Sequence, residues 1–570
     1  MMMMKNLLIS LLLFLPIGSV SSQNKRTNVS PKREVRAVWL TTIGGLDWPS
    51  HFARSAAGIA RQQAELCSLL DSLQAAHINT VLLQTRVRAT VIYPSQIEPW
   101  DGCMSGVPGV SPGYDPLAFA IEACHHRGME LHAWIVAFPA HKMKLTKQLG
   151  RQAINVRQPA IVKKAGDMWM LDPGVPQTAD YLARLCAEVV EHYDVDGIHL
   201  DYIRYPEKEI TFTDAATYRR YGKGQPKAEW RRQNVTRCVR AVHEAVKRCK
   251  PWVKMSCSPV GKYADLSRFS SRGWNAYDAV SQDAQGWLRQ GLMDLLFPMM
   301  YFQGDHFYPF ALDWTEQAGG KPIVPGLGIY FLSEKEKNWD FSVIQREMNF
   351  LREIGAGGQG YFRSRFFTNN VKGIYDFAKT EYYPSLALPP AMTWLDSVAP
   401  SPPVAPQFTP LATHTQLTWH TATDGFSPCP PLYNVYRSSV YPVDTRNPAH
   451  LVAMKLADTC WTTPREVLSY REAYYALTSI DRFGNESAPV ACNVPSLAVR
   501  SPRLPLKGQT VTVPFLDTEF LMIQDVVGQG VATVRFTTQL SVAHLSLGVY
   551  TLRTLDANGR SRRIGHFVKK

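Results

Sequence analysis

No apolar run in this chain reaches the ~20 residues needed to cross a bilayer, so no membrane span is expected in the mature protein. The ten cysteines include no C-x-x-C pair and no paired Cys/His spacing, which argues against a structural zinc site. Several, such as Cys67 and Cys186, sit in apolar periodic segments where cysteine acts as a small buried hydrophobe. Export permits disulfides, but no pair is named by the spacing. There is no G-K-[ST] loop to cradle a nucleotide phosphate. Acidic residues are in deficit, 48 against 62 Lys and Arg, yet the basic residues are dispersed rather than gathered into a stripe. Nucleic acid is therefore not an expected partner. The net charge of +14 suits a polyanionic polymer outside the cytoplasm, or serves solubility alone. What is present is ordinary globular composition, 45% hydrophobic and 19% charged, in a length that holds two to four domains.

The N-terminus combines Lys5, an apolar run from Leu7 to Leu15 and small residues at Ser19 to Ser22. That order predicts a cleavable signal peptide over residues 1–22, hence an exported protein in the periplasm, at the cell surface or secreted. No cysteine follows the run, so a lipid anchor is not indicated.

From Arg33 short β-rich runs alternate with amphipathic helical stretches, the pattern of βα units around a parallel sheet. Eight strands are predicted, at Val35-Thr41, Thr80-Val87, Glu130-Val136, Gly197-Tyr202, Val253-Ser258, Leu295-Tyr301, Ile323-Gly328 and Gly358-Phe362. Helical periodicity lies between them, as in Gln177-His192 and Phe341-Glu353. Eight is the count of a closed (β/α)₈ TIM barrel, placed at residues 33–388; an open doubly wound sheet is the alternative. A proline-rich linker follows at 389–403. Short strands with turn signals then predict two small all-β sandwiches, at 404–496 and 497–570. Trp419 and the turn DRFGNESAP make the first resemble a fibronectin type III module. The G-x-Y strand and basic last strand of the second resemble type IX secretion sorting domains, and a plain accessory sandwich reads equally well.

Barrel enzymes place chemistry at the C-terminal ends of the strands, where side chains two apart share a face. In DGIHLDYIRYP that parity sends His199 and Asp201 to the pore and Ile198, Leu200 and Tyr202 toward the helices. Asp201 is the candidate catalytic carboxylate, with a structural pairing to Arg204 as the alternative. Gln84, Arg86 and Arg88 form a polar file on the second strand, His132 and Trp134 share a face of the third, and Trp39 and Thr41 lie on the first. Indole and phenol rings beside hydrogen-bonding groups suit a sugar, whose C–H face stacks while its hydroxyls seek polar partners. Tyr301, ending the sixth strand, joins that set. Glycoside cleavage generally takes two carboxyl groups. Asp283 in SQDAQGW is the provisional second, with a helix N-cap as its competing role; Asp305 and Asp172 are further candidates.

The segments REVRAVWLTT, LLQTRVRATVIYPS, PGYDPLAFAIEACHHRGMELHAW, MLDPGVPQTADYL, DGIHLDYIRYP, SQDAQGWL, MDLLFPMMYF and GGQGYFRS, in this order over about 350 residues, resemble the glycosyl hydrolase-like 10 family, formerly DUF187. The resemblance implies a TIM-barrel glycosidase acting on bacterial cell-wall or related polysaccharide, with peptide-stripped peptidoglycan glycans as the substrate class. The family's histidine-aromatic strand stands here as His132-Ala133-Trp134, but its Asn-Pro continuation is replaced by Val136-Ala137-Phe138-Pro139. The expected protein is an exported glycoside hydrolase with Asp201 as nucleophile or electrostatic stabiliser and Asp283 as acid/base. Trp39, Gln84, Arg86, His132, Trp134, His199, Arg204 and Tyr301 would bind the polysaccharide, and no metal or organic cofactor is called for. Two readings compete with it: a noncatalytic carbohydrate-binding or scaffold protein of the cell envelope, and a metal-dependent deacetylase built on an Asp with two histidines. Oligomeric state is not legible.

Overall fold

The structure is a computed structural model that describes residues 30–411, 414–425, 428–464, 473–494, 503–516, 518–555 and 561–570. The expected signal peptide lies outside the described residues. The chain forms two compact units. One runs to Val398 and includes Arg446–Leu456 and Asp481–Asn485; the other takes Ala399–Thr445, Ala457–Ile480 and Glu486–Lys570.

The first unit is a parallel barrel. Its strands are β1 (Val35–Leu40), β2 (Thr80–Arg86), β3 (Glu130–Val136), β4 (Gly197–Asp201), β5 (Lys254–Cys257), β6 (Leu295–Leu296 continued by Met299–Met300), β7 (Gly326–Leu327) and β8 (Gly358–Tyr361). Each pairs in parallel with the next, and β8 pairs back onto β1 through Val35 and Gly358. Phe297-Pro298 interrupts β6, because proline offers no N–H to the ladder. Its first half pairs with β5 and its second with β7, so the ring closes across the break.

A parallel barrel buries both faces of every strand, so its strands read as near-continuous apolar runs; all residues of β1, β2 and β3 are buried. The interior holds Ala37, Trp39, Leu82, Trp134, Val136, Leu295, Phe297 and Val324. Trp39 fits because β7 and β8 carry glycines against it. A Cβ on Gly360 would lie 2.7 Å from the indole and one on Gly326 2.9 Å.

The helices pack outside. Gln177–His192 turns Leu182, Leu185, Cys186 and Val189 inward. Helices Ala56–Ala75, Pro116–His125 and Phe341–Glu353 start at N-caps Ser55, Asp115 and Asp340, whose side chains accept from first-turn amides. Between β3 and β4 the chain adds a separate antiparallel sheet of Pro139–Lys142, Met168–Leu171 and Val162–Ala165. Among the described residues no disulfide joins the cysteines. Among the described residues no helix is long and apolar enough to cross a membrane.

The strands of the second unit pair in antiparallel fashion. Val404–Pro410, His414–His420 and Cys460–Pro464 form one sheet, and Leu432–Ser438 pairs with Tyr474–Ile480 and that with Val490–Ala491. Toward the C-terminus a three-stranded and a four-stranded sheet share a core of Val511, Leu521, Ile523, Leu540, Leu552 and Phe567.

Candidate active site

A cavity of about 510 Å³ opens at the C-terminal ends of the barrel strands. From β1 to β4 and the segments that follow them it is lined by Thr41, Gln84, Arg88, Trp134, Asp201, Tyr202, Arg204 and Glu207; Met299, Tyr301 and Arg363 come from the far side of the barrel. Ala165, Met168 and Met170 of the antiparallel insertion give an apolar wall.

Asp201 is the last residue of β4 and is 5% exposed. Its Oδ2 accepts from Trp134 Nε1 at 3.1 Å, and its Oδ1 from Ser258 Oγ at 3.0 Å and from the Tyr202 amide at 2.7 Å. Burial pushes its pKa up, because a carboxylate loses hydration there, and this outweighs the opposing pull of Arg204 and the three donors. Glu207 lines the same cavity and is shifted the other way: Arg204 donates to its Oε1 at 2.6 Å and holds its pKa below the usual glutamate value despite partial burial. Arg204 itself is 4% exposed, stacked on Tyr202 at 4.7 Å and on Trp274 at 5.4 Å, and its buried Nε has no partner among the described residues.

Of the residues expected to bind substrate, Gln84, Trp134, Arg204 and Tyr301 line this cavity with Asp201. Gln84 Oε1 accepts from the amides of Thr42 and Ile43 at 3.0 and 2.9 Å, fixing the segment after β1. Tyr301 packs on Tyr330 and Phe362, and burial beside Asp201 raises its pKa.

The structure does not bring Trp39, Arg86, His132 and His199 to the cavity lining. His199 is one inward position closer to the N-terminal end than Asp201; it faces Trp39 Nε1 at 3.3 Å and Ser256 Oγ at 2.9 Å and is fully buried. Trp39 is interior packing, 1% exposed. His132 lies lower still, 3.3 Å from Glu130 and against Gly197, where a Cβ would strike its ring. Arg86 follows a register shift in β2 that ends the simple alternation after Gln84. Its guanidinium binds both oxygens of Glu98, at 2.7 and 2.6 Å, and the carbonyls of Val136 and Ala137.

Asp283 is also elsewhere. It caps helix Ala284–Arg289, accepting from Gly286 N at 3.1 Å and from Tyr263 Oη at 2.7 Å, and it lines a separate depression with Arg232, Tyr277 and Gln290. Asp172 caps locally as well, accepting from Gly174 N and Thr217 Oγ1. Asp305 belongs to a short 3₁₀ turn and is absent from the cavity lining. The Asp with two convergent histidines that a deacetylase needs is not assembled; among the described residues no group of three or more His, Cys, Asp or Glu side chains could hold a metal ion.

Sequence parity missed Tyr202, Glu207 and Arg363; Arg88, read on the inward parity with Gln84 and Arg86, does line the cavity. Tyr202 was expected to face the helices, but β4 ends at Asp201 and Tyr202 takes a left-handed φ of 50°, which breaks the alternation and leaves it 40% exposed at the cavity. Glu207 carried a readable signal, a carboxylate six positions past Asp201 in the loop that follows a barrel strand.

The chain is 31% identical over 398 residues to Glycosyl hydrolase YngK of Bacillus subtilis, covering 66% of this chain and 77% of that one. It is 34% identical over 306 residues to Glycosyl hydrolase DigH of Escherichia coli, covering 50% and 69%. Among solved structures, the PgaB (BpsB) glycoside hydrolase domain from Bordetella bronchiseptica aligns over 62% of this chain and 99% of its own with a TM-score of 0.43 and 13% identity. Residues 34–330, spanning β1 through β7 with Trp134, Asp201, Arg204, Glu207 and Ser258 among them, match the family model of glycosyl hydrolase-like 10, and the chain belongs to that family.

Proposed function

We propose that the protein is an exported glycoside hydrolase that cleaves glycosidic bonds in a polysaccharide, with peptidoglycan glycan strands as the substrate. The observation that carries this reading is the pair Asp201 and Glu207 in one cavity, their pKa values displaced in opposite directions. Such a split is how two carboxyl groups divide acid and base work at one pH. Asp201, held toward its protonated form, is the acid that gives its proton to the leaving glycosidic oxygen. Glu207, held ionised by Arg204, is the nucleophile or the base that activates water. This exchanges the roles expected from sequence, and Asp283 takes no part because it is absent from the cavity lining.

Gln84 and Tyr301 orient the sugar, Trp134 holds Asp201 and offers indole surface to the ring, and the Met168–Met170 wall covers its apolar side. The antiparallel segments after residue 399 act as accessory modules, the first of fibronectin type III character and the last a sorting domain or plain sandwich. Purified peptide-free glycan strands test the proposal. Wild type is expected to shorten them, and Asp201→Asn and Glu207→Gln to lose at least about a hundredfold in kcat. Either folded variant cleaving at the wild-type rate defeats the assignment; strands bound by wild type but never cut support a binding protein instead.

A further inference from the structure

Three arginines line the cavity, Arg88, Arg204 and Arg363. Two have carboxylate partners: Arg204 pairs with Glu207, and Arg363 with Asp47. Arg88, on the segment after β2, is half-buried and forms no ion pair or side-chain hydrogen bond among the described residues. Asp201, the other acidic group of the lining, accepts from Trp134, Ser258 and the Tyr202 amide and forms no ion pair with Arg88. Among the described residues Arg88 is therefore the arginine of the lining left without a carboxylate partner. A second donor with no partner among the described residues belongs to the same lining, the Nε of Arg204, whose side chain is 4% exposed between Tyr202 and Trp274.

A partly desolvated guanidinium with no counter-ion is costly, and arginine's planar fork matches a carboxylate. A neutral glycan offers only hydroxyls and amides to such a site. A carboxylate offers that fork two oxygens and a single negative charge.

Resting on the glycosidase reading above, we propose that Arg88 is a specificity-determining residue that holds a carboxylate on the bound sugar, so that the substrate is an acidic polysaccharide. A sugar with an ether-linked lactate, as in peptide-free peptidoglycan strands, carries that group, and so does a uronic acid with the carboxylate at C6.

Binding separates this proposal from hydrolysis. Calorimetry on the full chain in the non-cleaving Asp201→Asn background would use three probes: peptide-free glycan strands, the same strands with carboxylates converted to methyl amides, and oligouronates. With Arg88 present, amidation is expected to weaken binding about tenfold, the equivalent of about 1.4 kcal/mol. In Arg88→Gln the free strands should bind about tenfold more weakly and amidation should make no further difference, with the melting temperature unchanged. Tighter binding of lactyl strands or of oligouronates identifies the source of the carboxylate. Equal effects of amidation with and without Arg88, or no binding of either acidic glycan, overturns the proposal. Failure of the Asp201-containing chain to cleave counts against the glycosidase reading alone.

Discussion

Trp134 donates its indole N–H to Asp201 at 3.1 Å, from a neighbouring strand on which Val136, not Trp134, is the register partner of Asp201. The bond is thus diagonal, reaching one step up the barrel axis toward the mouth. It ties a side chain of the packed interior to the carboxyl group at the base of the cavity.

Replacing Trp134 with Phe removes one of the donors that favour the ionised form of Asp201, so its pKa, already raised by burial, moves further up. If Asp201 is the acid, activity is lost as pH rises through that pKa, and the alkaline limb of the kcat profile shifts to higher pH in Trp134→Phe. We expect kcat near neutrality to fall about tenfold as the carboxyl group loses its orientation. A pH–rate profile whose alkaline limb stays in place contradicts the role given to Asp201.

Arg86 and Arg88 lie two residues apart but should fail differently. Arg86 and Glu98 are both essentially fully buried, and removing one partner of such a pair costs about 3–5 kcal/mol. Arg86→Met should therefore lower the denaturation midpoint sharply, while Arg88→Gln leaves it in place. Chemical denaturation of the two variants checks this directly.

Gly360→Ala drives a methyl group to within 2.7 Å of the Trp39 indole, in a barrel interior with no slack. Overpacking of this kind costs about 1–3 kcal/mol. Trp39→Leu in the same chain should recover part of the loss, and the coupling measured in a double-mutant cycle should be non-zero.

Glu347, on the inner side of helix Phe341–Glu353, is fully buried with both carboxylate oxygens unpartnered, and burial raises its pKa to about 9. The folded chain keeps this proton while the unfolded chain releases it above the ordinary glutamate range. Stability is therefore lost between about pH 4.5 and pH 9 as pH rises. Glu347→Met should be more stable than wild type at pH 7 by on the order of 3 kcal/mol, with the gap closing below pH 4.5. Equal pH dependence in the two proteins rejects this account.

The barrel was legible in the sequence because its signals are local. Gln177-His192 and Phe341-Glu353 carry their apolar periodicity unbroken, and the structure begins and ends those helices where the pattern does. Each predicted strand overlaps an observed one. The site was only half legible, because period-two alternation reports which face a side chain takes but not its height along the barrel axis. His132, His199 and Asp201 all point inward, yet only Asp201 reaches the cavity. Alternation also fails where the backbone departs from strand geometry, as at the register shift after Gln84 and the left-handed Tyr202.

The antiparallel insertion between β3 and β4 hydrogen-bonds as a sheet of its own, outside the ladder that sets the heights of Trp134 and Asp201. One side of the cavity is thus an interchangeable part. Chains of this architecture can lengthen, shorten or recolour that wall to admit a differently decorated polymer while the carboxyl group beneath it keeps its place, so divergence in what is recognised need not disturb how the bond is attacked.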